Sequence, residues 1–273
     1  MADEVARFLQ VTLSSEDLAK KPDSPAMPSV DEKVGEAHLA YVEHMLSGRG
    51  FMIQRKWGES KEQLLRALQF APDRESVQIV KYSLARVLEE TNDEMAITYY
   101  SEIDSSSGHY QEALVRMGRL LNQSHDGRRA FMSYAAAAEI DGELTEYATT
   151  QLALLGAHLA TVAPQLVLEI TSKVLLRHPH LTKIHLLNAA SLYKMGRYRE
   201  SMEASQTMLE SHPELGIAKV HLAECRIALG ETAEAREILH TVVEQESENS
   251  RVRERAQAIL NTLSASKVEQ GEQ

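Results

Sequence analysis

The chain has 273 residues, of which 43% are hydrophobic and only 5% aromatic, so small aliphatic side chains must dominate any core. A formal net charge of −11 argues against non-specific attraction to nucleic-acid backbones. The single cysteine, Cys225, excludes an internal disulfide, and no apolar run reaches the roughly 18 residues of a membrane span. We therefore expect a cytoplasmic protein that binds no nucleic acid and is not inserted in a membrane.

Residues 1–28 have the composition of an irregular leader. Asp3 and Glu4 stand near the start without a long apolar core, which argues against a secretory signal or a basic transit peptide. Three prolines interrupt any helix in this segment: Pro22, Pro25 and Pro28. A short apolar stripe is formed by Val5, Phe8, Leu9 and Leu13. We predict a disordered leader that could use this stripe to dock in the groove of its own chain or of a neighbour.

A fixed period is the clearest regularity of the remaining sequence. Pro179 and Pro213 are 34 residues apart, and the same distance separates Gly196 from Gly230. The residues around these pairs are also similar in the two copies. A period of this length is typical of stacked helical repeats, in which each unit buries its apolar face against its neighbours.

The residues inside these periods resemble the tetratricopeptide repeat family, over roughly residues 37–247. The clearest unit carries that family's pattern at Ala189, Leu192, Gly196, Tyr198, Ser201, Met208 and Pro213. Further matches are Gly48, Trp57, Ala67 and Pro72 in the first unit, Gly118, Tyr134 and Ala137 in the third, and Leu222, Ala223, Gly230 and Leu239 in the sixth. The second and fourth units depart from the pattern, with a short turn at Asn92-Asp93 and with Pro164 expected to open a helix.

The resemblance implies an all-α fold, a right-handed α-solenoid of about six helical hairpins with a C-terminal capping helix. We predict that this domain spans residues 29–264, starting at a capping box of Ser29 and Glu32. The capping helix is expected at 250–264 and a disordered tail at 265–273. Small residues should mark close helix approach at Gly48, Gly118, Ala189 and Ala223, while Gly196 and Gly230 end first helices in a left-handed conformation.

Three histidines, His178, His180 and His185, are close enough in sequence to raise the question of a metal site. The first two flank a proline at a repeat turn and the third lies in the next helix, which favours surface and packing roles. Cys225 is most simply a small core residue. Because no catalytic grouping or phosphate-binding loop is present, we predict a protein without enzymatic activity, cofactor or metal.

In the family that the sequence resembles, the first helix of each repeat lines the concave groove. Arginines stand at equivalent places of that stripe in the first three units, Arg49, Arg86 and Arg119, with Arg116 alongside. One interpretation is a ladder that binds a carboxylate or an acidic peptide. The other is that these arginines pair within the chain with residues such as Glu89 and Glu112.

The same stripe is apolar in the last three units. It consists of Ala153, Ala157, Leu186, Ala190, Tyr193, Val220 and Ile227, with Lys183 and Glu224 at its edges. Such a surface could receive the apolar side of a peptide or helix. An error of one position in the register would instead place these residues in the core, and the sequence does not decide between the two.

The function implied by the resemblance is that of an adaptor or scaffold, which holds a segment of a partner protein in the concave groove. The expected segment is acidic, hydrophobic or both. The alternative is a regulatory or assembly subunit that docks through its convex face and could self-associate. The lysine and asparagine pattern with which some members of the family hold chaperone tails does not occur in three consecutive units, which disfavours that role.

Overall fold

A computed structural model describes the backbone of residues 30–271 and the side chains of residues 34–265. The predicted leader and the capping box of Ser29 and Glu32 lie outside the described side chains. Within the described part the chain is built from α-helices without any strand. The all-α prediction is therefore confirmed.

Thirteen helices make up the described residues. They are α1 (Val30–Ile53), α2 (Trp57–Phe70), α3 (Arg74–Glu90), α4 (Met95–Ser101), α5 (Tyr110–Gln123), α6 (Gly127–Ala138), α7 (Thr145–Val162), α8 (Pro164–Arg177), α9 (Thr182–Lys194), α10 (Tyr198–Ser211), α11 (Gly216–Ala228), α12 (Thr232–Gln245) and α13 (Arg251–Gly271). The first twelve pack pairwise as six hairpins, and each hairpin also contacts the next one along the chain. This arrangement is the solenoid that the repeat pattern predicts.

The turns inside the hairpins require a left-handed backbone. Gly196 and Gly230 have φ values of 74° and 88°, as predicted from their place after the first helix. At the corresponding turns of the first three units the same role falls to Arg55, Asn92 and His125, with φ of 58°, 53° and 62°. The fourth unit lacks this turn, and its second helix starts at Pro164, as expected from the fixed φ of proline.

The paired helices approach closely at the predicted small residues. A methyl group added to Gly48 would lie 2.8 Å from the Leu64 side chain, and one added to Gly118 would lie 3.0 Å from the Tyr134 ring. A serine hydroxyl of the second helix reinforces two of these approaches, since Ser60 donates to the Gly48 carbonyl at 2.8 Å. Ser201 donates to the Ala189 carbonyl in the same way, at 2.7 Å. The prediction of close packing is confirmed.

The second unit departs most from the others. Its second helix, α4, has only 7 residues, whereas α2, α8, α10 and α12 have 14 each. A closing proline is absent there, and the side chain of Gln78 accepts a hydrogen bond from the Asp104 backbone at 2.9 Å. The shortened helix is the distortion expected where the repeat pattern weakens.

The last helix covers the apolar end of the solenoid. Its predicted stripe of Val252, Ala256, Ile259, Leu260 and Leu263 packs into the core cluster of the sixth hairpin. Arg255 fixes it further, because its Nη2 donates to both carboxylate oxygens of Glu224 on α11, at 2.7 and 2.8 Å. The helix runs to Gly271 and therefore extends beyond the predicted end at residue 264.

Enlarging a buried alanine should destabilise the fold. Ala223 on α11 is fully buried against Leu239, and Ala189 on α9 is equally buried. We expect Ala223→Leu and Ala189→Leu each to lower the free energy of unfolding by about 1–3 kcal/mol, because the added carbons force helices apart. Ala228→Leu is the matched control, since Ala228 lies exposed on the same helix as Ala223. Chemical denaturation measures all three, and equal stability of Ala223→Leu and Ala228→Leu would contradict the packing described here.

Candidate functional site

Arg49 and Arg86 lie on successive first helices, α1 and α3, and line one hollow of about 490 Å³. Its other side chains are Met52, Ile53, Trp57, Tyr82, Ser83, Glu90 and His109. Both arginines are exposed, and neither forms an ion pair with the described residues. We call this surface the arginine hollow. Two of the four predicted groove arginines are thus brought together and available to a ligand.

The arginine hollow combines charge with exposed apolar surface. Ile53 is 83% exposed at the end of α1, and the half-buried Trp57 follows at the start of α2. The Tyr82 and His109 rings stack almost parallel with their centroids 4.2 Å apart. The Tyr82 hydroxyl is buried without a well-formed hydrogen bond in the described residues. Burial and the neighbouring Glu112 carboxylate raise the pKa of Tyr82 to about 12, so the phenol stays protonated and able to donate.

The other two predicted arginines are engaged within the chain. Glu89 of α3, whose side chain is only 8% exposed, pairs with Arg116 at 3.2 Å and with Arg119. Its carboxylate also accepts a hydrogen bond of 2.6 Å from the Tyr100 hydroxyl. Arg116 further pairs with Glu112 at 2.8 Å. For Arg116 and Arg119 the geometry is that of the intramolecular alternative, and we call this group the Glu89 cluster.

The predicted apolar stripe of the C-terminal half is divided between surface and core. Val220 is completely buried with Ala223 and Leu239, so its assignment to the groove is corrected to the core. The reason is that Val220 lies one helical turn from Ala223 and shares its core-facing side. Of the remaining predicted residues of the stripe, Ala157 is exposed, and the other five are half-buried: Ala153, Leu186, Ala190, Tyr193 and Ile227.

Two side chains of this stripe, Lys183 and Tyr193, already contact other side chains of the protein. Lys183 donates to Glu146 at 2.6 Å and to the Thr150 hydroxyl at 2.9 Å. Tyr193 packs against the rings of Tyr198 and His221, with centroids 5.1 and 5.6 Å away. A ligand at this end would therefore contact a mixed surface of half-buried aliphatic and tyrosine side chains.

A buried polar group joins the last two hairpins to the capping helix, and sequence reasoning missed it. The His221 ring nitrogen Nε2 lies 2.9 Å from Ser201 Oγ, and Nδ1 lies 3.5 Å from Glu224, which Arg255 pairs from the other side. Burial favours the neutral ring, but the Cys225 sulfur and the Glu224 carboxylate outweigh it and raise the pKa of His221 to about 9. The positions of His221, Glu224 and Cys225, three and four residues apart on α11, were the available signal.

This group contains a serine, a histidine and a carboxylate, but their geometry is not that of a catalytic triad. Ser201 is completely buried, and its hydroxyl already donates to the Ala189 carbonyl. A nucleophile must reach its substrate and give its proton to the histidine. The group therefore serves packing, and Cys225 is buried as the sequence predicts.

The three neighbouring histidines separate in the structure. His178 is buried, His180 is exposed, and the His185 ring lies 2.7 Å from the Pro179 carbonyl. Among the residues whose side chains are described, no three histidine, cysteine or carboxylate side chains are placed to hold a metal ion. A search of the described helices for one long and apolar enough to cross a bilayer also found none.

Comparison with known families identifies the repeats. Residues 192–258 match the family model described as tetratricopeptide repeat. The match agrees with the six hairpins and the turn geometry described above, so the predicted resemblance is confirmed and residues 192–258 carry tetratricopeptide repeats. Repeats of this family are generally non-enzymatic interaction modules, so protein partners are indicated. No curated protein sequence gives a significant match.

Solved structures of repeat proteins are similar to the chain at low identity. MamA from Desulfovibrio magneticus is 18% identical, covering 63% of this chain and 97% of its own, with a TM-score of 0.44. The C-terminal part of a repeat protein from Cytophaga hutchinsonii is 15% identical, covering 78% of both chains, with a TM-score of 0.44. A tetratricopeptide repeat protein from Parabacteroides merdae is 16% identical, covering 78% and 83%, with a TM-score of 0.39. At these scores the similarities carry no argument about function.

Proposed function

We propose that the chain is a protein-interaction scaffold that holds an acidic segment of a partner protein in the arginine hollow. The observation that carries this proposal is the pair of exposed guanidinium groups, Arg49 and Arg86, which have no ion pair among the described residues. They stand out on a chain whose net charge is −11. Guanidinium groups bind carboxylates in a two-pronged geometry, and such bonds are among the stronger hydrogen bonds in proteins.

The apolar part of the arginine hollow specifies the segment further. Exposed Ile53 and half-buried Trp57 offer apolar contact beside the two charges. We therefore expect a segment in which aspartate or glutamate is followed by an apolar side chain. We further predict that the continuation of this segment contacts a second surface, formed by Leu186, Ala190, Tyr193 and Ile227.

The test selects ligands without assuming the partner. A display library of random ten-residue peptides is enriched on the wild-type protein, and the enriched peptides are titrated while the emission of Trp57 is followed. Trp57 is the only tryptophan in the chain and lines the hollow, so its emission reports occupancy directly. We expect peptides rich in Asp or Glu followed by apolar residues, with binding that weakens as salt is added.

Charge reversal supplies the matched comparison. Arg49→Glu/Arg86→Glu should weaken binding at least tenfold and reduce its dependence on salt, with little change in melting temperature because neither arginine is paired. Arg128→Glu/Arg177→Glu makes the same charge change at exposed positions on second helices and should leave binding nearly unchanged. Equal loss of affinity in both double variants, or selection of peptides without acidic residues, would refute the proposal.

An assembly subunit that docks through its outer surface is the alternative function. It is supported by Leu176, a leucine at the end of α8 that is 85% exposed. On this alternative, Leu176→Ser should weaken association with a native partner, and the Arg49→Glu/Arg86→Glu variant should associate normally. An affinity pull-down from native extract with both variants separates the two functions.

A further inference from the structure

A second hollow, of about 530 Å³, lies between the fourth and fifth hairpins. The loop before α7 contributes Asp141 and Glu143, the first turns of α7 contribute Glu146 and Thr149, and the loop before α9 contributes His178. We call it the acidic hollow. It is separate from the arginine hollow, with which it shares no lining residue.

Two buried polar atoms of this hollow have no hydrogen-bond partner in the described part of the chain. They are Nε2 of His178, whose side chain is 5% exposed, and Oγ1 of Thr149, which is buried on α7. A buried polar atom without a partner is destabilising, and folded proteins satisfy nearly all such atoms. In the neutral ring Nε2 can accept a hydrogen bond, as can the threonine oxygen.

The loop that presents the carboxylates is held in one conformation. The Gln111 amide nitrogen lies 2.9 Å from the Ile140 carbonyl and 3.1 Å from the Thr145 hydroxyl. That hydroxyl also donates to the Ile140 carbonyl at 2.6 Å. Gly142 lies between the two acidic residues, and a methyl group added to it would overlap with the Gln111 side chain. The backbone that carries the two carboxylates is therefore held in place before a ligand binds.

The charges of the hollow are only partly neutralised within the chain. Lys183 is engaged by Glu146 at 2.6 Å. Asp141 lies 3.6 Å from Nδ1 of His178, and neither Asp141 nor Glu143 pairs with a lysine or arginine among the described residues. A ligand for this set of acceptors must be positively charged and must donate several hydrogen bonds.

We propose that the acidic hollow binds the side chain of an arginine from a partner polypeptide. A metal ion does not fit, since no three suitable ligands converge in the described residues. A guanidinium group carries five donors spread in a plane, so it suits several separate acceptors around one hollow better than a compact ammonium does. The exposed His180 ring also lines the hollow and meets the buried His178 ring edge-on, with the ring centroids 6.0 Å apart.

The probe is a blocked glycine-arginine-glycine tripeptide, compared with the same peptide containing uncharged citrulline. We expect the arginine peptide to shift the nuclear magnetic resonance signals of the His178 ring and the Thr149 amide, saturating in the millimolar range or below. The citrulline peptide should produce no saturable shift. Asp141→Asn/Glu143→Gln should weaken the arginine peptide at least fivefold, whereas Glu203→Gln/Glu210→Gln, an equal charge change at exposed positions of α10, should not.

Each contrary result overturns the proposal. These are equal binding of the two peptides, unchanged affinity of the Asp141→Asn/Glu143→Gln variant, or a crystal structure with the arginine peptide in which only water contacts His178. The readout is independent of the arginine hollow, because Arg49→Glu/Arg86→Glu should leave this binding intact. Failure of either proposal is therefore distinguishable from failure of the other.

Discussion

Replacing Glu89 by alanine should lower the free energy of unfolding by about 2–4 kcal/mol. The carboxylate joins α3 to both neighbouring elements, because it accepts from Tyr100 on α4 and pairs with Arg116 and Arg119 on α5. Its removal leaves the Tyr100 hydroxyl without its partner and the half-buried Arg116 with Glu112 alone. Arg119 is 47% exposed and regains water, which is why the expected loss stays below that of a fully buried pair.

Glu90→Ala is the control for this prediction. Glu90 is the next residue on α3, is exposed, and forms no ion pair with the described residues, so its loss should change stability by less than about 0.5 kcal/mol. Urea denaturation of both variants gives the comparison. If Glu89→Ala unfolded at the same urea concentration as Glu90→Ala, the Glu89 cluster would not be a stabilising element.

Because of the Glu89 cluster, reversing the charge of Arg119 and reversing that of Arg86 should have different effects on stability. Arg119→Glu would place a second carboxylate beside Glu89, so it should lower stability, whereas Arg86→Glu should not. A double variant that includes Arg119 would therefore mix loss of stability with loss of binding. Arg49 and Arg86 together test the binding function alone.

Stability should fall by about 3 kcal/mol as the pH rises from 6.5 to 9, through deprotonation of His221. The pKa of this ring in the folded protein is raised from 6.5 to about 9. A raised pKa means that folding favours the charged ring, so the stabilisation is complete below pH 6.5 and is lost as the pH passes through 9. The groups that face the ring are Ser201, Glu224 and Cys225, with Tyr193 against its face and Arg255 behind Glu224.

His221→Gln isolates this contribution from all other titrating groups. The difference in unfolding free energy between wild type and variant should be largest at pH 6 and should shrink towards pH 9.5. The equilibrium is measured by chemical denaturation at each pH, so that the two proteins are compared under identical conditions. A difference that stays constant over this range would show that folding does not raise the pKa of the ring.

Both predictions involve partners that are distant in sequence, Arg116 for Glu89 and Ser201 for His221. Such partners separate what the sequence determines from what it leaves open. The 34-residue spacing of Gly196 and Gly230 predicted the hairpins, because turn and packing requirements recur at fixed places in every repeat. Close helix approach at Gly48 and Gly118 could be predicted for the same reason. These features depend on the local chain and on contacts between adjacent helices.

The site could be predicted only in outline. That arginines repeat along the first helices was visible, but whether each one is free depends on how neighbouring units are rotated. Arg119 pairs with Glu89, whereas Arg86 is exposed and has no ion pair among the described residues. The two arginines nevertheless occupy equivalent positions in their repeats. Val220 shows the same limit, since a shift of one residue, about 100° around a helix, decides between groove and core.

The sequence by itself therefore determined the helical repeat, its turns and its small packing residues, because these follow from periodic local chemistry. Only the tertiary structure decided which polar groups meet across units, as in the His221 group between the last hairpins and α13. It also decided which polar groups have no partner among the described residues, as with Arg49 and Nε2 of His178. The physical reason is that side-chain partners depend on the relative placement of helices tens of residues apart, which no local pattern encodes.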